Sequence, residues 1–226
     1  MRVAVLFSGG KDSVRTTHFY LEKGYDVKYL VTMLPKREDS WLFHFPNIHL
    51  TELSAEAIGI TRISRETSGD KEEEIEDLNE VLKNLDVDAI ACGGIFSNYQ
   101  RKNFKKVCEE LGFKFLTPFW HTDPEKFLKD TIDLGFDVRI VGVYAEGFDE
   151  SWLERKLDEK CIEDLKILNK KYEINLCGEG GDYETLTLDC SCFKKRLEIL
   201  KSTKVWEGMS GYLRVDRARL VPKENV

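Results

Sequence analysis

Long apolar runs are missing from this chain. No stretch approaches the roughly 20 consecutive apolar residues that a bilayer-spanning helix needs, so a helical membrane protein is excluded. A surplus of positive charge is missing too: 34 Lys and Arg stand against 41 Asp and Glu, a formal net charge of −7. A general nucleic-acid binder presents a basic face that neutralises phosphates, so no stable nucleic-acid partner is expected. A local strip would escape that average, and Lys102, Lys105, Lys106, Arg214, Arg217 and Arg219 could form one. Paired C-x-x-C cysteines are absent as well. The six cysteines fall at 92, 108, 161, 177, 190 and 192, and Cys190-Ser191-Cys192 is too tight for a usual zinc or iron–sulfur knuckle. Reduced structural thiols are the expectation, and a disulfide or redox role is the alternative. His18, His44, His49 and His121 show no metal-ligand spacing, and His18 is expected to pack on the first helix. Nothing at the N-terminus has the form of a secretory leader: Met1 and Arg2 run straight into a short apolar strand and then glycines, so a cytoplasmic protein is expected.

What is present is an alternation of strands and helices. Residues 2–7 (RVAVLF) form a continuous apolar run, the pattern of a strand buried on both faces of a parallel sheet. Asp12 and Ser13 can cap a helix running to Lys23, which Gly24 ends. Residues 26–33 read as a second strand, 35–48 as a polar loop, 51–57 as a helix and 60–64 as a third strand. A charged helix over 70–85 carries Ile75, Leu78, Leu82 and Leu85 on one stripe. A fourth strand over 87–92, a helix starting at Ser97 and a fifth strand over 113–116 follow. These lengths predict an α/β fold with right-handed crossovers. After Pro118 the rhythm changes to a helix over 124–134, a strand over 137–144, helical pieces within 151–172 and a β-rich tail with a hairpin near 207–210. We therefore divide the chain into a domain over 1–120 and a smaller α+β domain over 121–226.

Residues 8–13 (SGGKDS) carry the chemistry. A glycine pair just past a buried strand lets backbone N–H groups approach an anion, and the following helix adds its positive N-terminal end. Ser8 and Ser13 supply hydroxyls, Lys11 a cation and Asp12 a magnesium contact. This is not a Walker A loop, since Val5 replaces its first glycine and Asp12 follows the lysine where Ser or Thr is needed. A tight strand-to-helix turn is the plain alternative. Six specific residues in a row resemble the signature of the PP-loop ATP pyrophosphatases. That resemblance implies a HUP-type, Rossmann-like parallel sheet and cleavage of ATP to AMP and pyrophosphate.

Two further stretches narrow the reading. Residues 93–101 (GGIFSNYQR) follow the fourth strand, and strand C-terminal ends line the ligand crevice of a doubly wound sheet. Residues 178–186 (GEGGDYETL) crowd three glycines and three carboxylates ahead of a strand. A capped helix start and an exposed glycine turn are the bland alternatives. Together with SGGKDS, these stretches resemble the diphthine–ammonia ligase family over nearly the whole chain. That resemblance implies an enzyme that completes diphthamide on translation elongation factor 2, activating the diphthine carboxylate with ATP and aminating it with ammonia.

The same resemblance implies the site. Ser8, Gly9, Gly10, Lys11, Asp12 and Ser13 would hold the nucleotide, joined by Thr32 and Gly93, with Asp12 as the Mg2+ ligand. Lys11, Asp12, Gln100 and Arg101 would be catalytic. Ser97, Tyr99, Glu179, Gly180, Gly181, Asp182, Tyr183 and Glu184 would bind the substrate. Asp182 stands where the family is expected to favour glutamate, one methylene longer. Trp152, Tyr183, Trp206 and Tyr212 could cage the trimethylammonium group of diphthine, with core packing as the alternative. Arg2, in place of a nucleophilic cysteine, makes free ammonia the expected nitrogen donor. A PP-loop tRNA-modifying enzyme and a non-catalytic ATP-sensing module are the rival functions, and a homo-oligomer stays open.

Overall fold

The computed structural model describes residues 1–36, 47–68, 70–95 and 97–223. The first strand, β1 (Arg2–Leu6), shows why the chain begins as it does. Val3 and Val5 point into one core and Ala4 into another, all three fully buried, so a run without polar alternation is what a doubly covered strand requires. Helix α1 (Lys11–Glu22) returns the chain to β2 (Asp26–Pro35), which pairs parallel with β1. Then come α2 (Thr51–Ile58), β3 (Thr61–Thr67), α3 (Lys71–Leu82), β4 (Ala89–Ala91), α4 (Asn98–Glu110) and β5 (Lys114–Leu116). The five strands form one parallel sheet in the order β3-β2-β1-β4-β5. The order reverses between β1 and β4, which opens a crevice at their C-terminal ends.

Beyond β5 the pairing turns antiparallel. Helix α5 (Pro124–Asp133), capped by Asp123, leads into β6 (Asp137–Val143). Helix α6 (Glu159–Tyr172) is followed by β7 (Tyr183–Asp189) and the long hairpin of β8 (Lys195–Glu207) and β9 (Ser210–Pro222). These make a four-stranded sheet in the order β7-β6-β9-β8. One hydrophobic core runs through both sheets, joining Val3, Val5 and Val14 to Phe127, Ile140, Leu165 and Leu186. A second covers the other face of the parallel sheet with Leu78, Leu82, Ile90 and Phe104.

Several boundaries differ from the sequence reading. Helix α1 starts at Lys11 with Gly10 as its N-cap and no side-chain cap, so Asp12 and Ser13 lie inside the first turn. Strand β3 extends to Thr67 because it pairs with β2 along its full length. Within 151–172 only α6 is an α-helix. Before it stands a short 3-10 turn, Glu150–Trp152, and Lys156 bridges to Arg139 of β6. Of the polar loop over 35–48, residues 37–46 lie outside the described residues, and Ile48–Leu50 forms a 3-10 turn. Among the described residues, no helix is long and apolar enough to cross a membrane.

Candidate active site

The turn between β1 and α1 is held from outside by β7. The Gly9 carbonyl accepts the Thr187 N–H at 2.9 Å, and the Lys11 N–H donates to Thr185 Oγ1 at 3.1 Å. Gly9 has φ +78°, the left-handed region that favours glycine. A Cβ at Gly10 would come within 3.0 Å of the Thr185 carbonyl oxygen, so any side chain there would press turn and strand apart by a few tenths of an ångström. Inside the turn the Ser8 N–H donates to Ser13 Oγ at 3.2 Å, and the two hydroxyls stand 3.4 Å apart. Serine hydroxyls and the first turn of a twelve-residue helix thus face one opening.

Lys11 is only 2% exposed. Its ammonium donates to Asp12 Oδ2 at 3.0 Å and to the Cys177 carbonyl at 2.5 Å, and it lies 5.2 Å from the centre of the Tyr183 ring. Burial works against its charge, but Asp12, with smaller contributions from its other neighbours, outweighs that and leaves the Lys11 pKa raised. The charge therefore persists throughout neutral and mildly alkaline pH. Glu179 makes a second tie: its Oε1 accepts the Ile95 N–H at 2.5 Å and joins the 178–184 loop to the turn after β4. Gly93 packs against α1 so closely that a Cβ would lie 2.5 Å from the Asp12 carbonyl oxygen. These segments enclose a cleft of about 830 Å³.

With that geometry in view, the relatives become informative. The family model for the diphthamide synthase N-terminal domain matches residues 1–115, and the model for its C-terminal domain matches 123–221. The chain belongs to the diphthamide synthase family. The diphthine–ammonia ligase of Mus musculus is 32% identical, over 99% of this chain and 94% of its own. That of Homo sapiens is 34% identical, over 91% and 85%. That of Schizosaccharomyces pombe is also 34% identical, but 95% of this chain spans only 39% of it. A solved structure from Methanocaldococcus jannaschii, described as a predicted subunit of tRNA methyltransferase, overlays with TM-score 0.49 at 15% identity. It covers 84% of this chain and 98% of its own, a likeness that carries no functional weight.

The cleft wall holds most of the residues expected there: Ser8, Gly10, Lys11, Asp12, Ser13, Gly93, Ser97, Tyr99, Gln100, Glu179, Gly180, Gly181, Tyr183 and Glu184. Four expected residues stand off it. Gly9 faces β7. Thr32 is fully buried, donating its hydroxyl to the Phe7 carbonyl at 2.8 Å. Arg101 stacks its guanidinium 4.6 Å from the centre of the Trp120 ring. Asp182 turns back to accept the Asn175 N–H at 2.5 Å, a brace for the loop. Of the four aromatic residues offered as a cage, only Tyr183 lines the cleft, and its hydroxyl donates to the Leu176 carbonyl. Trp152 is buried against Phe148, and Trp206 donates to Gly208 at the hairpin turn.

Thr185, the Cys177 carbonyl and an apolar stretch of Val31, Met33, Ile48 and Phe104 belong to the site but were not singled out from sequence. Val31 and Met33 are alternate residues of β2, a spacing that puts both on one face. Burial pushes the Cys92 thiol up to about 11 and the Cys177 thiol up to about 12, so neither cleft thiol is ionised near neutrality. Asp12 Oδ1 is buried with no hydrogen-bond partner, while Oδ2 holds Lys11. An orphaned carboxylate oxygen beside a phosphate-type turn fits a hard divalent cation. Among the described residues, no group of three or more His, Cys, Asp or Glu could hold a metal ion unaided.

Removing the second tie should loosen the site without unfolding it. A hydrogen bond to a charged group contributes about 1.5–3 kcal/mol, so Glu179→Ala should raise an apparent KM by roughly tenfold to a hundredfold. Steady-state kinetics at varied substrate, beside a thermal melt, checks this. Unchanged KM values would show that the bond to Ile95 does not order the cleft.

Proposed function

We infer that this chain is an AMP-forming ligase that converts diphthine on translation elongation factor 2 to diphthamide, using ATP and ammonia. The observation that carries this reading is the convergence of three sequence-distant stretches, 8–13, 93–101 and 178–186, on one cleft bridged by Lys11. In it the α1 turn, with the Ser8 and Ser13 hydroxyls and Lys11, holds phosphate charge and stabilises what develops on departing pyrophosphate. Val31, Met33, Ile48 and Phe104 offer the apolar surface that suits a purine ring. Tyr99, Gln100, Glu179 and Glu184, on the same cleft lining, receive the diphthine side chain, and the carboxylates favour a quaternary ammonium and an incoming ammonia. Asp12 would hold Mg2+, which when bound spreads the phosphate charge during transfer.

The reaction balances in two steps. A diphthine carboxylate oxygen attacks the α-phosphorus and pyrophosphate leaves. Ammonia then attacks the acyl carbonyl, loses a proton, and AMP leaves. The protein itself gains no covalent bond, and its contribution is position and charge. Two un-ionised cleft cysteines speak against a thiolation chemistry that would need a thiolate. We further propose that 1–120 serves the nucleotide and 121–226 the substrate, that the protein is cytoplasmic, and that it keeps no stable nucleic-acid partner.

The deciding experiment measures AMP and pyrophosphate release with diphthine-bearing elongation factor and ammonium, each present or omitted. Release should require both. At fixed total ammonium the rate should climb about tenfold per pH unit while the ammonium ion predominates, because only free ammonia attacks. Glutamine should not replace ammonium. Release that ignores the elongation factor would keep the ATP chemistry and remove the acceptor. ATP binding without release would leave a sensor.

A further inference from the structure

Away from the cleft, β7 ends in a turn that brings two thiols together. The Phe193 N–H donates to the Cys190 carbonyl at 3.0 Å, folding residues 190–193 back on themselves. That turn sets Cys190 Sγ and Cys192 Sγ 3.2 Å apart. The two sulfurs differ in access. Cys190 is 1% exposed, whereas Cys192 is half-buried and lines a surface pocket of about 440 Å³ beside His18, Ser191 and Lys194. His18 Nε2 and Ser191 Oγ stand 2.8 Å apart on its wall. A hydrogen bond from Cys192, together with the backbone N–H groups of Cys192 and Phe193, favours the Cys190 thiolate and holds its pKa below the ordinary thiol value despite burial. The thiols of Cys92, Cys108, Cys161 and Cys177 are instead pushed up by burial.

This arrangement resembles an attacking and a resolving sulfur more than two structural thiols. We propose that Cys190 and Cys192 form a reactive dithiol that reduces low-molecular-weight disulfides of the glutathione class and closes an intramolecular disulfide in the process. The hydrogen bond to Cys190 and burial keep the proton on Cys192. As it attacks one sulfur of the small disulfide, the accessible Cys192 hands that proton to the Cys190 thiolate and the S–S bond breaks. The thiolate released takes the proton back from Cys190. The Cys190 thiolate then attacks Cys192 Sγ, the mixed disulfide breaks, and a second thiolate leaves. The two protein protons pass to the two released thiolates. In sum, two protein thiols are oxidised and one small disulfide is reduced to two thiols. Lys194 at the pocket offers a cation to a carboxylate of a peptide disulfide such as oxidised glutathione, and Glu22 on the same wall can meet its ammonium group. The inference does not rest on the ligase reading, since neither sulfur lines the cleft.

The test equilibrates the full-length reduced protein, without oxygen, in glutathione buffers of graded oxidised-to-reduced ratio. Acid quenching, alkylation under denaturing conditions and peptide mass spectrometry follow. The peptide with residues 190–192 is expected to lose two hydrogens and both alkylatable thiols, with two glutathiones formed per disulfide consumed. Cys190→Ser should instead accumulate a glutathione adduct on Cys192, and Cys192→Ser should leave residue 190 unmodified. A wild-type peptide that remains a dithiol at ratios oxidising a dithiothreitol control overturns the proposal. So does a wild-type mixed disulfide that persists unresolved. The wild-type arm decides the matter even if either variant fails to fold.

Discussion

Asp12→Ala should lower kcat/KM for ATP by about two to three orders of magnitude, in line with the loss of a single charge-positioning group in other active sites. Asp12 faces two ways: Oδ1 is buried without a partner in the cleft, and Oδ2 neutralises the Lys11 ammonium. Alanine removes both, and Asp12→Asn keeps the shape while removing the charge. Breaking a fully buried ion pair costs about 3–5 kcal/mol. The Asp12 side chain is 33% exposed, so a loss of about 1–3 kcal/mol is the fitting expectation here. The direction with pH follows from Lys11. Its pKa is raised in the folded protein, so its stabilising contribution is complete below the unfolded value and declines only as pH rises through the folded one. Neutral solution therefore already shows the full penalty. Pyrophosphate release, checked beside a thermal melt, reads both parts. Activity within tenfold of wild type in both variants would remove Asp12 from the chemistry.

The second large effect belongs to Gly93. Its added Cβ would lie 2.5 Å from the Asp12 carbonyl oxygen, 2.6 Å from the Asp12 carbonyl carbon and 3.0 Å from Thr16 Oγ1. Two of these are backbone atoms inside α1, which has no rotamer to change. Gly93→Ala must therefore push the β4 turn and the helix apart. Overpacking of this kind costs about 1–3 kcal/mol, roughly a 3–10 °C fall in Tm for a chain of this size. ATP affinity should fall as well, because the displaced helix carries the turn proposed to hold the phosphates. Gly24→Ala is the control: no atom lies within 4 Å of its Cβ position, although its φ of +72° carries a small strain of its own. Calorimetric melting and ATP titration distinguish the two. Equal losses from both substitutions would mean that the contact with Asp12 is not what requires glycine at 93.

The local parts of this site were legible because their information is local. An apolar strand, a glycine pair and a helix start all fall within residues 2–13, and the structure places β1 and α1 accordingly. Ser97 capping α4 was legible for the same reason, its side chain accepting the Gln100 N–H. Contacts across long sequence separations were not. Thr185 reaches the Lys11 N–H across 174 residues, and the Cys177 carbonyl reaches its ammonium across 166. Nothing in the type of either residue announces that partner, since a carbonyl belongs to every residue. The direction of Asp182 was hidden too. The glycine loop displays its carboxylates, but the backbone path decides that Glu179 meets the turn after β4 while Asp182 returns to Asn175. Composition likewise said nothing of where Trp152 and Trp206 would point, and core and hairpin packing claimed them.

The hydrogen bonds from Thr187 to Gly9 and from Lys11 to Thr185 bear on how such a protein can be recombined. A cut between β5 and α5 looks like the natural place to exchange halves among relatives, since the pairing changes from parallel to antiparallel there. The functional seam lies elsewhere, where residues 9–11 meet 185–187. A hybrid joined cleanly in the linker still inherits its β1–α1 turn from one parent and the strand that shapes it from another. Compatibility between parents is therefore decided at these few paired positions, and substitutions on one side of the seam constrain what the other side can accept.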